Sequence, residues 1–262
     1  VVGYSSYDIY VGNFGWQYPN YRSSTARRIF VATLDNNGSF TSGVYLGSHT
    51  NQDSYAEDVV IDNSGIVTLT GRMDTRLSWK GSWMYAGGAS GWDCFVASFA
   101  YNPHNSSTPL NEMNFLSIGG QSADFCWSID RDDISGEIIV SGDFNDVGSA
   151  GGFSISSHGG IDAFFATLTS NASSFNVNSA HTFGATDNDH GKAAAIHNGL
   201  IVYGGTFGVG GYDDQGTINL TGTGYTDGWI ISYGSDSDGD GFTDSSDAFP
   251  NDPSQWSDLD GD

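Results

Sequence analysis

Basic residues are scarce in this chain. Eight Lys and Arg stand against 31 Asp and Glu in 262 residues, a formal net charge of -23. So acidic a surface excludes nucleic acid as a partner, because phosphate contacts need a basic face. It argues equally against anionic membranes. Cysteine is nearly absent. Cys94 and Cys126 are the only two, too few for a disulfide scaffold. No run of 18 apolar residues occurs, which excludes insertion as a spanning helix. No segment sustains an apolar 3.6-residue period, so helices should be minor. Residues 1–7, "VVGYSSY", lack the charged and apolar regions of a signal peptide. The chain stops in mid-motif at "DLDGD" and reads as an excerpt of a longer protein.

Glycine, at 37 residues, and aromatics, at 14 %, are plentiful. With abundant Ser, Thr, Asn and Asp, they suit short strands joined by turns. The strands repeat. One motif reads "RIFVATL" (28–34), "DCFVASF" (93–99), "DAFFATL" (162–168) and "DGWIISY" (227–233), at spacings of 65, 69 and 65 residues. A second reads "IYVGNF" (9–14), "TLTGRM" (68–73), "IVSGDF" (139–144) and "YGGTFG" (203–208). A third precedes it as "EDVVIDNSG", "CWSIDRDDISG" and "AAAIHNG", and a fourth follows the first as "GVYLGS", "NFLSIGG" and "AHTFGA". Turn residues bound each motif, and the order never changes.

Each period therefore encodes four short strands as two hairpins, with a Gly- and Ser-rich surface excursion between them. Four-stranded antiparallel units repeated around an axis are propeller blades. The fold expectation is all-β, with about four β-propeller blades forming part of a larger ring, followed by an irregular calcium-binding tail. A β-solenoid is the alternative. The units fall near 1–47, 56–119, 125–184 and 192–233, within a repeat region 1–234 ahead of a tail 235–262. The first unit lacks its opening strand, unless residues 1–7 supply it, and the last lacks its closing one.

The stretch "SIGGQSADFCWSIDRDDISGEIIVSGDF…GGIDAFFATL" (117–168) resembles the SBBP-type β-propeller repeat. The resemblance spans residues 8–233. It weakens where Arg28 stands for the Asp of the first motif and His197 for the Asp of the Ile-Asp turn. It implies a blade fold and a bacterial or archaeal cell surface or extracellular location, and no reaction.

The tail carries the most specific chemistry. In "DSDGDGFTDSSD" (236–247), Asp236, Asp238 and Asp240 fall at positions 1, 3 and 5 of a calcium loop. Gly241 takes the sharp turn at 6 and Phe242 offers its carbonyl at 7. Asp244 stands at 9, directly or through water, and Asp247 closes at 12. Without a cation these carboxylates repel one another. A second copy begins at Asp258, Asp260 and Asp262. The tandem resembles thrombospondin type 3 repeats, which implies Ca2+ ligation by these residues; Asp252 could bridge the two loops.

Other features are weaker. Cys94 and Cys126 either form a bridge or lie as two buried thiols. Asn37, Asn105, Asn171 and Asn219 head glycosylation sequons. "DNDHGK" (187–192) and "GYDDQG" (211–216) read as polar turns. Asp93, Asp162 and Asp227 recur, and recurrence points to turns rather than catalysis. His197 suits a local hydrogen bond. Trp79, Trp83 and Tyr85 lie in a long excursion where they pack or stack on sugars. No catalytic constellation is identifiable. The leading expectation is a non-enzymatic surface, adhesion or assembly module with a calcium-stiffened spacer. Its partner would be a protein or glycan surface, or further copies of itself. Alternatives are a glycan-binding propeller or a polysaccharide-active enzyme, the latter needing a carboxylate pair in one cleft.

Overall fold

The computed structural model of the chain describes residues 1–5, 9–11, 14–16, 26–46, 52–79, 82–86, 91–101, 110–171, 173–214, 216, 218–223, 225–234 and 248–255. All regular structure among them is β, in antiparallel sheets of which none closes into a barrel.

The first unit contains β1 (Val2–Ser5), a hairpin of β2 (Ile9–Val11) and β3 (Phe14–Trp16), then β4 (Arg28–Leu34) and β5 (Phe40–Leu46). The second contains β6 (Ser54–Ile61), β7 (Ile66–Asp74), the hairpin β8 (Arg76–Trp79) and β9 (Ser82–Tyr85), then β10 (Trp92–Tyr101) and β11 (Leu110–Gly120). The third comprises β12 (Phe125–Arg131), β13 (Ile138–Ala150), β14 (Phe153–Ser170) and β15 (Phe175–Gly184). Here the excursion is the far half of β13 and the near half of β14. The fourth holds β16 (His190–His197), β17 (Leu200–Phe207), the hairpin β18 (Gly210–Asp213) and β19 (Asn219–Thr221), and β20 (Asp227–Tyr233). Apart from the excursions, the units have three, four, four and three strands, each sheet a meander.

One assignment needs correction. The sequence suggests "IYVGNF" (9–14) as the second strand of the first unit. Instead β1 pairs with β4, placing Gly3 opposite Phe30. Equivalent pairs are Gly71–Phe95, Gly142–Phe164 and Gly205–Trp229. Ile9–Val11 belongs to the excursion hairpin. Both stretches carry a Gly after β-branched or aromatic residues, and partner choice across the sheet separates them.

The recurring glycine has a steric cause. Each complete first strand bulges, at Ala56/Asp58, Cys126/Ser128 and Gly191/Ala193. The bulge pushes a carbonyl toward the second strand. A Cβ on Gly71, Gly142 or Gly205 would lie 1.9, 1.8 or 1.7 Å from the carbonyl oxygen of Tyr55, Phe125 or His190. Only glycine fits opposite such a bulge.

Successive sheets stack face to face, because the third strand of each complete unit is apolar on both sides. Cys94 and Val96 pack with Ile129, Val140 and Phe164 between the second and third units. Their neighbours Phe95, Ala97 and Phe99 pack with Ile29, Val31 and Leu69 between the first and second. Ala163 and Phe165 face the fourth unit with Tyr203 and Trp229. Cys94 and Cys126 are joined as a disulfide across the first of these interfaces, between β10 and β12.

Further bonds stitch the units. The excursion of the third pairs Gly148–Ala150 with Ile118–Gly120 of the second, and that of the fourth pairs Tyr212–Asp213 with Phe183–Gly184 of the third. Asp58 accepts a hydrogen bond from Ile129 N at 3.0 Å, and Asp130 one from Ile196 N at 2.9 Å.

Candidate functional site

Buried carboxylates line the junctions between units, and their bonding is a repeated pattern. Asp124, opening the third unit, accepts Gly120 N at 2.7 Å and Asn145 N at 3.0 Å. Asp189, opening the fourth, accepts Ala185 N at 2.7 Å and Gly208 N at 3.0 Å. Each ties the last strand of one unit to the excursion of the next. Asp162 accepts His158 N and Asp227 accepts Thr223 N, four residues back in both cases. Gly119 lies between Asp124 and Asp93: a Cβ there would meet their carboxyl oxygens at 2.6 and 3.1 Å. Burial pushes Asp124 up to about 7, with Asp93 and Asp146 adding to the shift against two backbone hydrogen bonds. Burial likewise pushes Asp162 up to about 6, and neighbouring Asp189 adds to it. These groups hold the scaffold together. Asp124 and Asp189 recur at the second–third and third–fourth junctions, as a binding group for one ligand need not; Ser54 stands at the equivalent place opening the second unit.

A second set of polar side chains does not recur. The bulge places Glu57, Trp127 and Lys192 at one equivalent position in three successive units. After the invariant glycine of each second strand come Arg72, Asp143 and Thr206. Before the bulge stand Tyr55, Phe125 and His190. No two of these nine positions share a side-chain type, yet the backbone around them is the same three times over.

Their side chains converge. The Arg72 guanidinium lies over four rings: Tyr55 at 4.4 Å, Trp127 at 5.0 Å, Phe125 at 5.2 Å and Trp92 at 5.7 Å. Tyr55 meets Tyr4 of the first unit edge-on at 4.5 Å. Phe125 and Trp127 stack at 5.6 Å, and Lys192 Nζ sits 4.4 Å above Trp127. The result is a ladder of rings and cations crossing all four units. Each cation over a ring gains from the ring quadrupole.

Two carboxylates flank the ladder. Asp143 is buried and accepts hydrogen bonds from Trp127 Nε1 at 2.7 Å, Lys192 Nζ at 3.0 Å and Gly191 N at 3.0 Å; His190 Nδ1 lies at 3.0 Å. This network fixes the rotamers of Trp127 and Lys192. Glu57 pairs with Arg72 at 3.3 Å. The oxygen facing Arg72 is Oε1, which is buried and makes no hydrogen bond among the described residues. Burial raises the Glu57 carboxyl above its ordinary value, and Arg72 offsets part of that. The site thus offers flat apolar faces, fixed N–H donors and a carboxylate acceptor together.

Of the residues singled out in the sequence, Asp236, Asp238, Asp240, Phe242, Asp244, Asp247, Asp258, Asp260 and Asp262 lie outside the described residues, as does Asn105. Asp252 accepts from Ser254 and Gln255 within its own turn. Asn37, Asn171 and Asn219 are exposed, the first two in turns and the third on β19. Asp187 accepts Val209 N, 22 residues further on, and Asp213 accepts Ile218 N, while the Asp213 carbonyl accepts Gly216 N in a turn of the second acidic stretch. Trp83 stacks with Arg76 at 4.3 Å, and Tyr85 is 59 % exposed on the same hairpin; the Trp79 side chain is outside the description. His197 pairs with Leu200 beside a two-residue turn. Among the described residues no three His, Cys, Asp or Glu side chains group as a metal site.

The ladder is not legible as a repeat in the sequence, because its side chains differ from unit to unit. The available signal was the reverse. Arg27, Arg72 and Lys192, three of only eight basic residues, fall around one aromatic cluster. No family model matches the chain, and no curated protein matches it.

Proposed function

We propose that the chain is part of an extracellular β-propeller adhesion module of a prokaryotic cell surface, that its partner is a carbohydrate, and that the tail is a calcium-ordered spacer. The four stacked units are the blades. The observation that carries this reading is the ladder. The scaffold repeats faithfully, while the first-strand bulges bear aromatic rings and paired charges of unlike kinds. Rings stack on the C–H faces of sugars, and fixed donors and acceptors read their hydroxyls. A mere packing cluster would do without Glu57, Arg72, Asp143 and Lys192, because even paired charges lose hydration when they are buried, and apolar side chains of similar size pack as well.

The module is tested on a glycan array in calcium-containing buffer. Wild-type protein is expected to retain a defined set of saccharides, and Trp127→Ala, shown by circular dichroism to be folded at the array temperature, to lose them. An array that stays blank with folded wild-type protein overturns the carbohydrate reading. The spacer is tested separately, by calorimetric titration of the chain with calcium at physiological salt. Saturable binding that disappears in a Asp236→Asn, Asp240→Asn double variant is expected; its absence in the wild type refutes the calcium loop.

A further inference from the structure

We infer that the ladder is specific for a sugar acid, a single pyranose carboxylate on an otherwise neutral glycan. The inference rests on the carbohydrate reading and narrows it. Arg72 carries five N–H donors in a planar fork. Its one polar contact is the 3.3 Å ion pair with Glu57, and no hydrogen bond to another described residue uses the remaining donors. The side chain is 21 % exposed, so those donors can reach a ligand. Lys192 is 45 % exposed and spends one of its three donors on Asp143. Both cations sit against the same Trp127 ring, at 5.0 and 4.4 Å from its centroid. A planar carboxylate fits the guanidinium fork bidentately, and an ammonium supports it as a point charge.

The remaining features match the rest of such a sugar. The partly exposed Trp92, Phe125 and Trp127 rings supply faces for a pyranose. Charge bounds the ligand from the other side. Beyond the ladder a polyanion would meet a chain of net charge -23, screened only over about 8 Å at physiological salt. One acid group among neutral sugars gains the local cations without that repulsion.

The test is calorimetry on the full chain at fixed calcium concentration, with a glucuronate-terminated oligosaccharide and its glucose-terminated counterpart. The acid is expected to bind about tenfold more tightly or better, as a charge-assisted hydrogen bond implies. Arg72→Gln should reduce that preference toward unity while leaving neutral binding measurable. Lys192→Met, at an exposed position, should reduce it in part without threatening the fold. Equal binding of both sugars overturns the acid specificity and leaves the carbohydrate reading intact. Binding of neither sugar, or of any other glycan, overturns both. A preference that survives both substitutions in folded protein overturns the assignment to this site.

Discussion

At the two junctions that flank the third unit the same residue recurs; three positions further along the same strands it does not. Asp124 and Asp189 make the same pair of backbone hydrogen bonds in the third and fourth units. Trp127 and Lys192, beyond them, have nothing in common but their place on the bulge. The difference separates two demands on one backbone. Stacking a unit on its neighbour poses the same problem each time, so the same groups solve it. On the proposed reading, recognising a ligand poses one problem for the whole assembly, so each unit would contribute a different part.

The sharpest way to break this comparison is at the glycine opposite the bulge. Gly142→Ala puts a methyl group where the Phe125 carbonyl oxygen lies, 1.8 Å away. Neither strand can retreat without losing its neighbours, and a cost of at least about 3 kcal/mol is expected. Gly3→Ala is the contrast. There the obstacle is the Phe30 ring at 2.8 Å, a side chain that can turn. Denaturant unfolding should show the third-unit variant far less stable than the first-unit one. Equal losses would mean that the glycine recurs for a reason other than the bulge.

The junction acids give a second, smaller effect, readable through pH. Asp162 Oδ2 is bonded to His158 N and contacts the His158 ring, while its buried Oδ1 has no partner among the described residues. Asp189 stands beside it with both oxygens already accepting backbone N–H groups. Burial raises the folded-state value to about 6 from 3.8. Below about pH 4 folded and unfolded chains both hold this proton, and the group costs nothing. As pH rises from about 4 through about 6, the unfolded chain releases it first, so stability falls. Asp162→Asn places an N–H where the carboxyl proton would sit. The variant should match the wild type near pH 4 and exceed it by about 2 kcal/mol near pH 7. Thermal melts across that range decide the matter; an unchanged slope would show that this acid is not the source.

The scaffold was largely legible in the sequence because steric and hydrogen-bonding demands recur with the fold. The four "RIFVATL"-type strands and their order are found where the repeats place them. Two things were not legible. Ile9–Val11 and Val2–Ser5 both offer β-prone residues beside a glycine, and only pairing with β4 distinguishes them. The excursions read as loops because Gly and Ser dominate them. They form hairpins instead, and those of the third and fourth units also find backbone partners on the preceding unit, as Gly148–Ala150 does on β11. The ladder was hidden for a related reason. Tyr55, Arg72, Trp92, Phe125 and Trp127 are spread over more than seventy residues, and only stacking of the sheets brings them together.

The smallest expected effect tests the comparison at its exception, the turn in which His197 stands in place of a repeated Asp. In the second unit Asp62 Oδ1 accepts Ser64 N, Ser64 Oγ and Ile66 N. In the third, Asp132 accepts Ile134 N and Ser135 Oγ. These turns are long enough to leave backbone donors that a carboxylate must satisfy. The fourth unit turns on Asn198 and Gly199 alone, at φ of 49° and 77°. Two left-handed residues close the hairpin, and the Asn198 backbone N–H donates to Asp132 of the third unit. Turn length and this neighbouring carboxylate remove the need for an Asp in the fourth turn itself, and the histidine is a consequence. Asp62→Ala should cost about 1 kcal/mol, whereas His197→Asp should change stability by less than about 0.5 kcal/mol. Parallel urea titrations compare the two. A gain from His197→Asp as large as the loss from Asp62→Ala would mean that the fourth turn lacks the cap after all, and that the repeat is degraded there rather than rebuilt.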